Sequence, residues 1–417
     1  MTSARGSRTP RRTVVVVSLT MIAVLVVVAV AGAVRLQTEA TPVLHAQRVL
    51  PSIVRFPGGD LRPVWPTEGE AAAAVPGIGT VGASGGEAPL PIASVAKVMT
   101  AYLTLRAYPI AAGQRGFRVK ISAGDVADYQ QRVSESQSTV PVAKGEVLDE
   151  AQLLEALLIP SANNIAALLA NYVAGSQAAF VARMNATAQS LGMTHTTYTD
   201  PSGFTASTVS TAADQVRLAE VAMQEPELAH IVRMRAVTLP VAGTVSNYDE
   251  LAGEDGFVGI KTGSDSEAGG CFVFANRRVI DGHPVTVYGA VLGQDAGVSS
   301  TDVIVGAALD AAEALADSVA DAIHVRAVLP KGTAIAYVTN AAGSRVVVRT
   351  SAPLTQLGWD GLHYPVSVTL LPLGTTLTAG QRVGTVTLGG THPVSVPAVA
   401  GSTMPSLSLS YRLSHLL

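Results

Sequence analysis

The sequence of 417 residues contains one cysteine, few charged residues and few aromatic residues. A single cysteine excludes a disulfide scaffold, a cysteine-rich zinc site and an iron–sulfur cluster. Charged residues make up 14% of the chain, against about 25% in an average soluble domain. The net charge of −3 provides no overall positive field, so the composition argues against nucleic-acid binding. The eight histidines include no H-x-x-H pair, and we expect neither a metal nor a cofactor.

Hydrophobic residues are abundant, at 48%, and one long apolar run of 21 residues covers 14–34. A helix of that length reaches about 32 Å and can cross a hydrocarbon core of about 30 Å. The residues before it include four arginines, Arg5, Arg8, Arg11 and Arg12. The positive-inside rule therefore predicts a cytoplasmic segment at 1–13, a transmembrane anchor and an exported remainder. A cleaved signal peptide is the alternative, because Ala29-Val30-Ala31 fits a small-residue cleavage pattern.

The exported part is expected to contain two domains, since one hydrophobic core usually serves roughly 100–200 residues. Residues 35–63 show no clear periodicity and are predicted to be a linker. Residues 64–322 alternate helical and strand patterns, which predicts a mixed α/β (α+β) domain. Residues 323–417 contain short strands separated by Gly, Pro and Asn, which predicts a small C-terminal β-sandwich.

Hydrophobic spacing and capping residues locate the main elements of the mixed domain. Helices are predicted at 93–108, 149–158, 163–173, 177–191, 211–223 and 303–320. Strands are predicted at 256–261, 270–275 and 283–292. Strands of the C-terminal domain are predicted at 325–328, 333–338, 345–349, 366–371, 382–388 and 392–396.

Two glycine-rich motifs and the cysteine are not expected to form functional sites. Residues 77–82 match the dinucleotide fingerprint G-x-G-x-x-G, and residues 82–86 match the nucleophile elbow G-x-S-x-G. Both motifs require a helix to follow, and Pro89 and Pro91 prevent one here. A hairpin loop is the expected structure. Cys271 lies in an apolar strand without a basic neighbour, which is typical of a small core residue.

Three short motifs carry the chemistry. Ser94 and Lys97 are spaced i to i+3, which places them on one helix face, where a neutral lysine can take the serine proton. Such a lysine needs a pKa far below the usual value of about 10.4. The second motif, Ser161-Ala162-Asn163, follows a proline between two helices, and Asn163 could equally cap the second helix. The third motif, Lys261-Thr262-Gly263, ends a strand where glycine permits close backbone approach.

The order S-x-x-K, S-x-N, K-T-G resembles the signature of penicillin-binding proteins and serine β-lactamases, and two of the five lysines of the chain lie in these motifs. The neighbouring residues resemble those of low-molecular-mass D-alanyl-D-alanine carboxypeptidases. The matching segments read PIASVAKVMTA at 91–101, IPSANNIAALL at 159–169, DPSG at 200–203 and GIKTGSDSEAGGC at 259–271. The resemblance covers about 65–322 and implies a serine β-lactamase/transpeptidase-like catalytic domain.

The resemblance implies a role for each motif residue in cleaving the terminal D-Ala-D-Ala bond of peptidoglycan stem peptides. It makes Ser94 the nucleophile, Lys97 the general base, Ser161 a proton relay tuned by Lys261, and Asn163 the residue that orients Lys97 and the substrate amide. Substrate binding is assigned to Thr262, Gly263 and Ser264, and the oxyanion to the backbone N–H groups of Ser94 and Ser264. β-Lactams are expected to trap Ser94. Because no Lys or Arg occurs between Arg278 and Arg326, the substrate carboxylate is expected to bind Thr262, Lys261 and Ser264.

Three alternatives use the same fold. A transpeptidase or endopeptidase would use the same residues on another acceptor or substrate, and a non-catalytic wall-binding protein would keep only the fold. A β-lactamase would need a further base for deacylation, and Glu225 and Glu227 lie in the interval between the second and third motifs, although that segment resembles the start of a helix more than a catalytic loop. The expected location is the bacterial cell membrane, with the catalytic domain outside the cytoplasm.

Overall fold

The computed structural model describes residues 11–38, 44–295, 297–298, 300–408 and 410–411. The chain divides into two compact units. The larger unit comprises 58–325 and 357–362, and the smaller unit comprises 1–57, 326–356 and 363–417. Most of the predicted cytoplasmic segment 1–13 lies outside the described residues.

The structure defines the helices and strands as follows. A short 3₁₀ helix covers Ala93–Ala96, and the α-helices are α1 Arg11–Thr38, α2 Lys97–Ala107, α3 Ala123–Ser134, α4 Glu150–Leu158, α5 Asn163–Ala174, α6 Gln177–Ser190, α7 Ala212–Ala222, α8 Pro226–Ile231 and α9 Thr301–Ala322. The strands are β1 His45–Arg48, β2 Ile53–Arg55, β3 Glu70–Val75, β4 Gly79–Ser84, β5 Leu90–Pro91, β6 Arg118–Lys120, β7 Val147–Asp149, β8 Val209–Ser210, β9 Ala236–Leu239, β10 Gly243–Ser246, β11 Phe257–Asp265, β12 Gly269–Ile280, β13 His283–Gln294, β14 His324–Leu329, β15 Ala334–Thr339, β16 Arg345–Thr350, β17 Leu354–Gly358, β18 His363–Leu370, β19 Arg382–Leu388 and β20 Val394–Ala400.

Helix α1 contains the long apolar run. Val15–Val34 has a mean hydropathy of 2.8 and none of it is buried against the rest of the chain. Among the described residues, this is the single unbroken helix long and apolar enough to cross a membrane. It fits a membrane anchor or a signal sequence, as the two sequence-based readings require.

The larger unit is built on a five-stranded antiparallel sheet in the order β11-β12-β13-β3-β4. Side chains alternate between the two faces of a strand, and β12 shows this directly. Cys271 and Val273 pack into the cluster formed with the helices around α2 and α5, whereas Phe272 and Phe274 pack against α9. Both faces are covered over the first half of β12, which explains why residues 269–275 are a continuous run without charged side chains. The unit has the mixed α/β fold that the sequence predicts.

The predicted helices of the larger unit are confirmed to within a few residues. Asp149 and Ser176 cap α4 and α6 through their side chains, as the sequence signals indicate. Helix α3 is an addition that the spacing does not predict, because none of its residues is buried and its start rests on the capping box of Ser122 and Asp125. The glycine-rich segment at 77–82 forms the turn into β4, so no dinucleotide loop exists there.

The smaller unit contains a seven-stranded antiparallel sheet in the order β1-β15-β16-β20-β19-β18-β2. This corrects the prediction of a linker over 35–63. Strand β1 pairs with β15 and β2 pairs with β18, so part of that segment supplies both edges of the sheet. The two strands are four and three residues long, too short for their own pattern to reveal them. Their conformation depends on pairing with distant strands.

Candidate active site

The start of α2 positions the first motif. Ser94 lies in the 3₁₀ helix and Lys97 begins α2, so one turn brings both side chains to the same side. Lys97 Nζ lies 2.7 Å from Ser94 Oγ and donates a second hydrogen bond, of 2.9 Å, to the carbonyl of Ser202. The side chain of Lys97 is fully buried. The predicted nucleophile and base are therefore in direct contact.

The surroundings of Lys97 disfavour its charged form. Burial is the main cause that holds the pKa of Lys97 well below its ordinary value, and the positive charges of Lys261 and Arg132 lower it further. The carboxylate of Asp200 acts in the opposite direction. A lysine with a lowered pKa is neutral in a larger share of molecules at neutral pH, and only the neutral amine can accept a proton from Ser94.

The loop that holds Lys97 is organised by Asp200. Its carboxylate accepts hydrogen bonds from the backbone N–H groups of residues 202–205 and from the hydroxyls of Ser202 and Thr208. Burial raises the pKa of Asp200, but these hydrogen bonds outweigh it and keep the pKa below its ordinary value. Gly203 has a φ of +76°, and a Cβ there would lie 1.7 Å from the carbonyl oxygen of Ala93. The D-P-S-G segment thus brings the Ser202 carbonyl to Lys97 and packs against the nucleophile helix.

The second motif lies between α4 and α5. Ser161 has a φ of +62°, a left-handed conformation that is unusual for a residue with a Cβ. Its hydroxyl is buried and has no hydrogen-bond partner among the described residues. Asn163 is the first residue of α5, and its side chain does not cap that helix, contrary to the alternative reading. Instead, Asn163 Nδ2 donates to Gln137 Oε1 at 2.9 Å.

The third motif lies on β11. Lys261 is buried, and its Nζ donates to the carbonyl of Thr262 at 2.9 Å. Burial lowers the pKa of Lys261 to about 7, although the carboxylate of Asp249 raises it. Gly263 packs against the start of the 3₁₀ helix, where a Cβ would lie 2.8 Å from the Ile92 carbonyl oxygen and 3.0 Å from the Ser94 nitrogen. Glycine at this position permits the closest approach of β11 to Ser94.

A cleft of about 300 Å³ joins the three motifs. Six of the eight predicted site residues line it: Ser94, Ser161, Asn163, Thr262, Gly263 and Ser264. The other two, Lys97 and Lys261, are buried beside it. Among the described lining residues none is Lys or Arg, so the cleft surface itself carries no basic side chain. The cleft offers a serine hydroxyl, a buried lysine with a lowered pKa, and several further hydroxyls and amides.

Sequence reasoning missed several residues of the site. Gln137, Phe204 and Tyr248 line the cleft, and Phe204 and Tyr248 are about half exposed. Asp249 is buried, its carboxylate acts on Lys261, and burial raises the pKa of Asp249 to about 7. The signal available for Phe204 was its position directly after D-P-S-G. The other three residues lie in loops whose approach to the motifs depends on tertiary structure.

The remaining sequence candidates lie elsewhere. Glu225 precedes the first residue of α8 without a side-chain capping hydrogen bond, and it forms an ion pair with Arg106 at 3.9 Å. Neither Glu225 nor Glu227 is among the described residues that line the cleft. The base that the β-lactamase alternative needs is therefore not supplied by this segment. Cys271 is buried in β12, and burial raises the pKa of its thiol to about 12, which confirms its assignment to the core.

Comparisons with known proteins identify the family of the chain. A family model described as D-alanyl-D-alanine carboxypeptidase, peptidase family S11, matches residues 83–296. A D-alanyl-D-alanine endopeptidase of Escherichia coli K12 is 30% identical over 206 residues, which are 47% of this chain and 62% of that protein. The D-alanyl-D-alanine carboxypeptidase DacB2 of Mycobacterium tuberculosis is 37% identical over 161 residues, which are 37% of this chain and 54% of that protein. The chain thus covers less than two thirds of these relatives.

Solved structures show the same fold. The crystal structure of the Streptomyces K15 DD-transpeptidase is 25% identical with a TM-score of 0.51, and the match covers 64% of this chain and 98% of that one. A peptidoglycan synthesis regulatory factor (PBP3) from Streptococcus pneumoniae has a TM-score of 0.56 at 23% identity, and covers 82% of this chain and 100% of its own. The family model spans just over half of the sequence and includes all three motifs. The chain therefore belongs to the S11 family of D-alanyl-D-alanine carboxypeptidases.

Proposed function

We propose that this protein is a serine D-alanyl-D-alanine carboxypeptidase that removes the terminal D-alanine from peptidoglycan stem pentapeptides through an acyl-enzyme on Ser94. The observation that carries the proposal is the 2.7 Å distance between Ser94 Oγ and Lys97 Nζ. Lys97 is buried, and its pKa is lowered well below the ordinary value. A serine hydroxyl is a weak nucleophile until a base takes its proton, and this contact supplies that base. The reaction requires neither a metal nor a cofactor.

Acylation begins when Ser94 Oγ attacks the carbonyl between the two D-alanines and its proton passes to Lys97. The negative oxygen that forms is stabilised by the backbone N–H groups of Ser94 and Ser264. Losing one such donor typically costs about 3–4 kcal/mol in the barrier. The approach of Gly263 to the Ser94 nitrogen supports this pairing, because it places the strand that contains Ser264 beside the nucleophile.

The leaving D-alanine needs a proton on its amine. Ser161 is proposed to relay it, since Ser161 lines the cleft and its buried hydroxyl has no protein partner among the described residues. Lys261 tunes the relay, and Asn163 holds Lys97 and the substrate amide. Water then hydrolyses the ester on Ser94. A β-lactam resembles the D-Ala-D-Ala end and is expected to acylate the same serine.

The carboxylate end of the substrate decides between carboxypeptidase and endopeptidase action. Thr262 and Ser264 line this part of the cleft, and Lys261 lies behind them with a lowered pKa. Because the described cleft surface has no basic side chain, a free carboxylate binds here with less favourable energy than it would beside an arginine, which forms charge-assisted hydrogen bonds. Endopeptidase action, in which the leaving group is part of a cross-link, is the second candidate, and the endopeptidases among the relatives favour it.

The experiment compares two substrates with the same purified protein. Carboxypeptidase action releases free D-alanine from a stem pentapeptide, and endopeptidase action cleaves a cross-linked dimer into monomers. We expect D-alanine release to be the faster reaction, and Ser94→Ala to abolish it. Ser190→Ala is the matched control, since Ser190 is an exposed residue at the end of α6. If only the dimer is cleaved, the protein is an endopeptidase; if neither reaction depends on Ser94, the mechanism is wrong.

The proposed location is the outer side of the bacterial cell membrane, with α1 as a single anchor. The support is the length and apolarity of Val15–Val34 and the basic residues before it. Sequencing the N-terminus of the mature protein distinguishes the two forms. An intact N-terminus supports the anchor, and a new N-terminus near residue 32 indicates cleavage and secretion.

A further inference from the structure

A series of hydrogen-bonded polar side chains outside the three motifs leads away from Asn163 of the second motif. Asn163 Nδ2 donates to Gln137 Oε1 at 2.9 Å, and Arg132 Nη1 donates to the same oxygen at 3.1 Å. Arg132 is itself held by Asp128, whose carboxylate accepts from Arg132 Nε at 2.7 Å. The other end of the Gln137 amide donates from Nε2 to Glu135 at 2.6 Å. Both ends of the Gln137 side chain are thus held by charged groups.

These charged partners determine which way the amides point. Arginine has only donors and a carboxylate has only acceptors, so Gln137 must present its oxygen to Arg132 and its nitrogen to Glu135. Asn163 meets that oxygen, so it must present its nitrogen. The oxygen of the Asn163 amide consequently points away from Gln137. The charge pattern of Arg132 and Glu135 thus defines the orientation of Asn163 without reference to the substrate.

Asn163 Oδ1 is buried and has no hydrogen-bond partner among the described residues, although Asn163 lines the cleft. Buried polar atoms in folded proteins are normally hydrogen-bonded, so an unpartnered acceptor beside a cleft is a place where a bound molecule can donate a hydrogen bond. At this position, Oδ1 can accept a hydrogen bond from an N–H group of the substrate amide or of Lys97. A reversed Asn163 amide would present a donor there and would oppose both.

We propose that Gln137, held by Arg132 and Glu135, is a positioning residue that orients the Asn163 amide so that Oδ1 accepts a hydrogen bond during acylation. This inference rests on the proposed function, since it assigns Asn163 a part in acylation. It adds to the three motifs a residue that lies 26 positions before Asn163 and acts only through it.

The test is a double-mutant cycle with a fluorescent penicillin as the probe. The full-length protein, Gln137→Met, Asn163→Ala and the double variant are compared by their second-order acylation rate constants. Gln137→Met keeps the side-chain length, removes the acceptor and leaves the charge of Arg132 in place. Gln131→Met is the matched control, because Gln131 also donates to Glu135, at 3.0 Å, but it lies outside the hydrogen bonds of Asn163. Thermal unfolding is measured for every variant.

We expect Gln137→Met to slow acylation by about 10-fold or more, with about 100-fold as the effect of a group misplaced by about 1 Å. In the Asn163→Ala background the same change should have no further effect, because Gln137 acts only through Asn163. Gln137→Glu still offers an oxygen to Arg132 and Asn163, although it loses the hydrogen bond to Glu135 and places a second carboxylate beside it, so it should recover part of the rate on the alkaline plateau. Gln131→Met should match the wild type.

Two results overturn the inference: a Gln137→Met protein that is acylated as fast as the wild type, or an equal slowing with and without Asn163. If Gln137→Met does not fold, Gln137→Ser takes its place in the cycle, with the same expected result. A wild-type protein that no penicillin acylates contradicts the proposed function instead, so the two failures are distinguishable.

Discussion

Replacing Gly263 with alanine tests how closely β11 must approach the helix that carries Ser94. The added Cβ would lie 2.8 Å from the Ile92 carbonyl oxygen and 3.0 Å from the nitrogens of Ser94 and Val95. Ordinary contacts of a Cβ begin at 3.4 Å, so the contact with Ile92 is 0.6 Å too short. All three neighbours are backbone atoms, which cannot rotate away. The strand and the start of the helix must therefore move apart.

The size of that movement gives the expected effect. Overpacking a core costs typically 1–3 kcal/mol in the free energy of unfolding, so about 2 kcal/mol is expected here. A displacement of about 1 Å at a reacting group can slow a reaction by about 100-fold, so the smaller displacement here sets that value as the upper end. Because the displacement separates Ser94 from the strand that contains Ser264, we expect Gly263→Ala to slow acylation by roughly 10-fold to 100-fold.

The assay combines acylation by a fluorescent penicillin with thermal unfolding. Gly306→Ala is the matched control, because a Cβ at Gly306 in α9 meets nothing within 4 Å. Alanine is favoured over glycine within a helix by about 1 kcal/mol, so the control should be slightly more stable and acylate normally. A Gly263→Ala protein that acylates at the wild-type rate would refute the reasoning, since the close approach would then have no part in positioning Ser94.

Three further predictions concern the second motif and the buried charges. The free energy of unfolding of Ser161→Gly, measured by chemical denaturation, should be about 1 kcal/mol larger than that of Ser161→Ala, because glycine adopts a φ of +62° without strain. Equal free energies would contradict this. Burial raises the pKa of Asp249 to about 7, so its charge costs stability increasingly as the pH rises from about 3.9 to 7, and fully above 7. The melting temperature of Asp249→Asn relative to wild type should therefore be higher at pH 8 than at pH 4, and a constant difference would count against it. Lys261→Met removes a positive charge that lowers the pKa of Lys97, so the acidic limb of the acylation rate profile should move to higher pH; an unmoved limb would show that Lys261 has no such effect.

The three motifs were predictable because each is contiguous in the sequence and each begins or ends a regular element. Ser94 and Lys97 need only one helical turn to meet, and Lys261, Thr262 and Gly263 need only one strand. The helix boundaries were readable for the same reason, since capping side chains lie within a few residues of the backbone groups they bind. Local chemistry was sufficient for these features.

Features that depend on distant contacts were not predictable. Strand β1 pairs with β15 nearly three hundred residues later, and nothing in a four-residue segment indicates that partner. Gln137 is similar, because an exposed, polar helix gives no sign that the loop after it meets Asn163. Asp249 lies in a loop before β11, and its proximity to Lys261 follows from the turn between them. Only the folded chain brings these residues to the site.

The central claim, that Ser94 forms a covalent acyl-enzyme with Lys97 as its base, can be tested by mass spectrometry of the intact protein after exposure to benzylpenicillin. The account predicts a mass increase equal to one benzylpenicillin and a modified peptide that contains Ser94. Ser94→Ala should remain unmodified, and Lys97→Met should be modified far more slowly. An adduct on another residue, or an adduct that forms equally in Ser94→Ala, would contradict the claim.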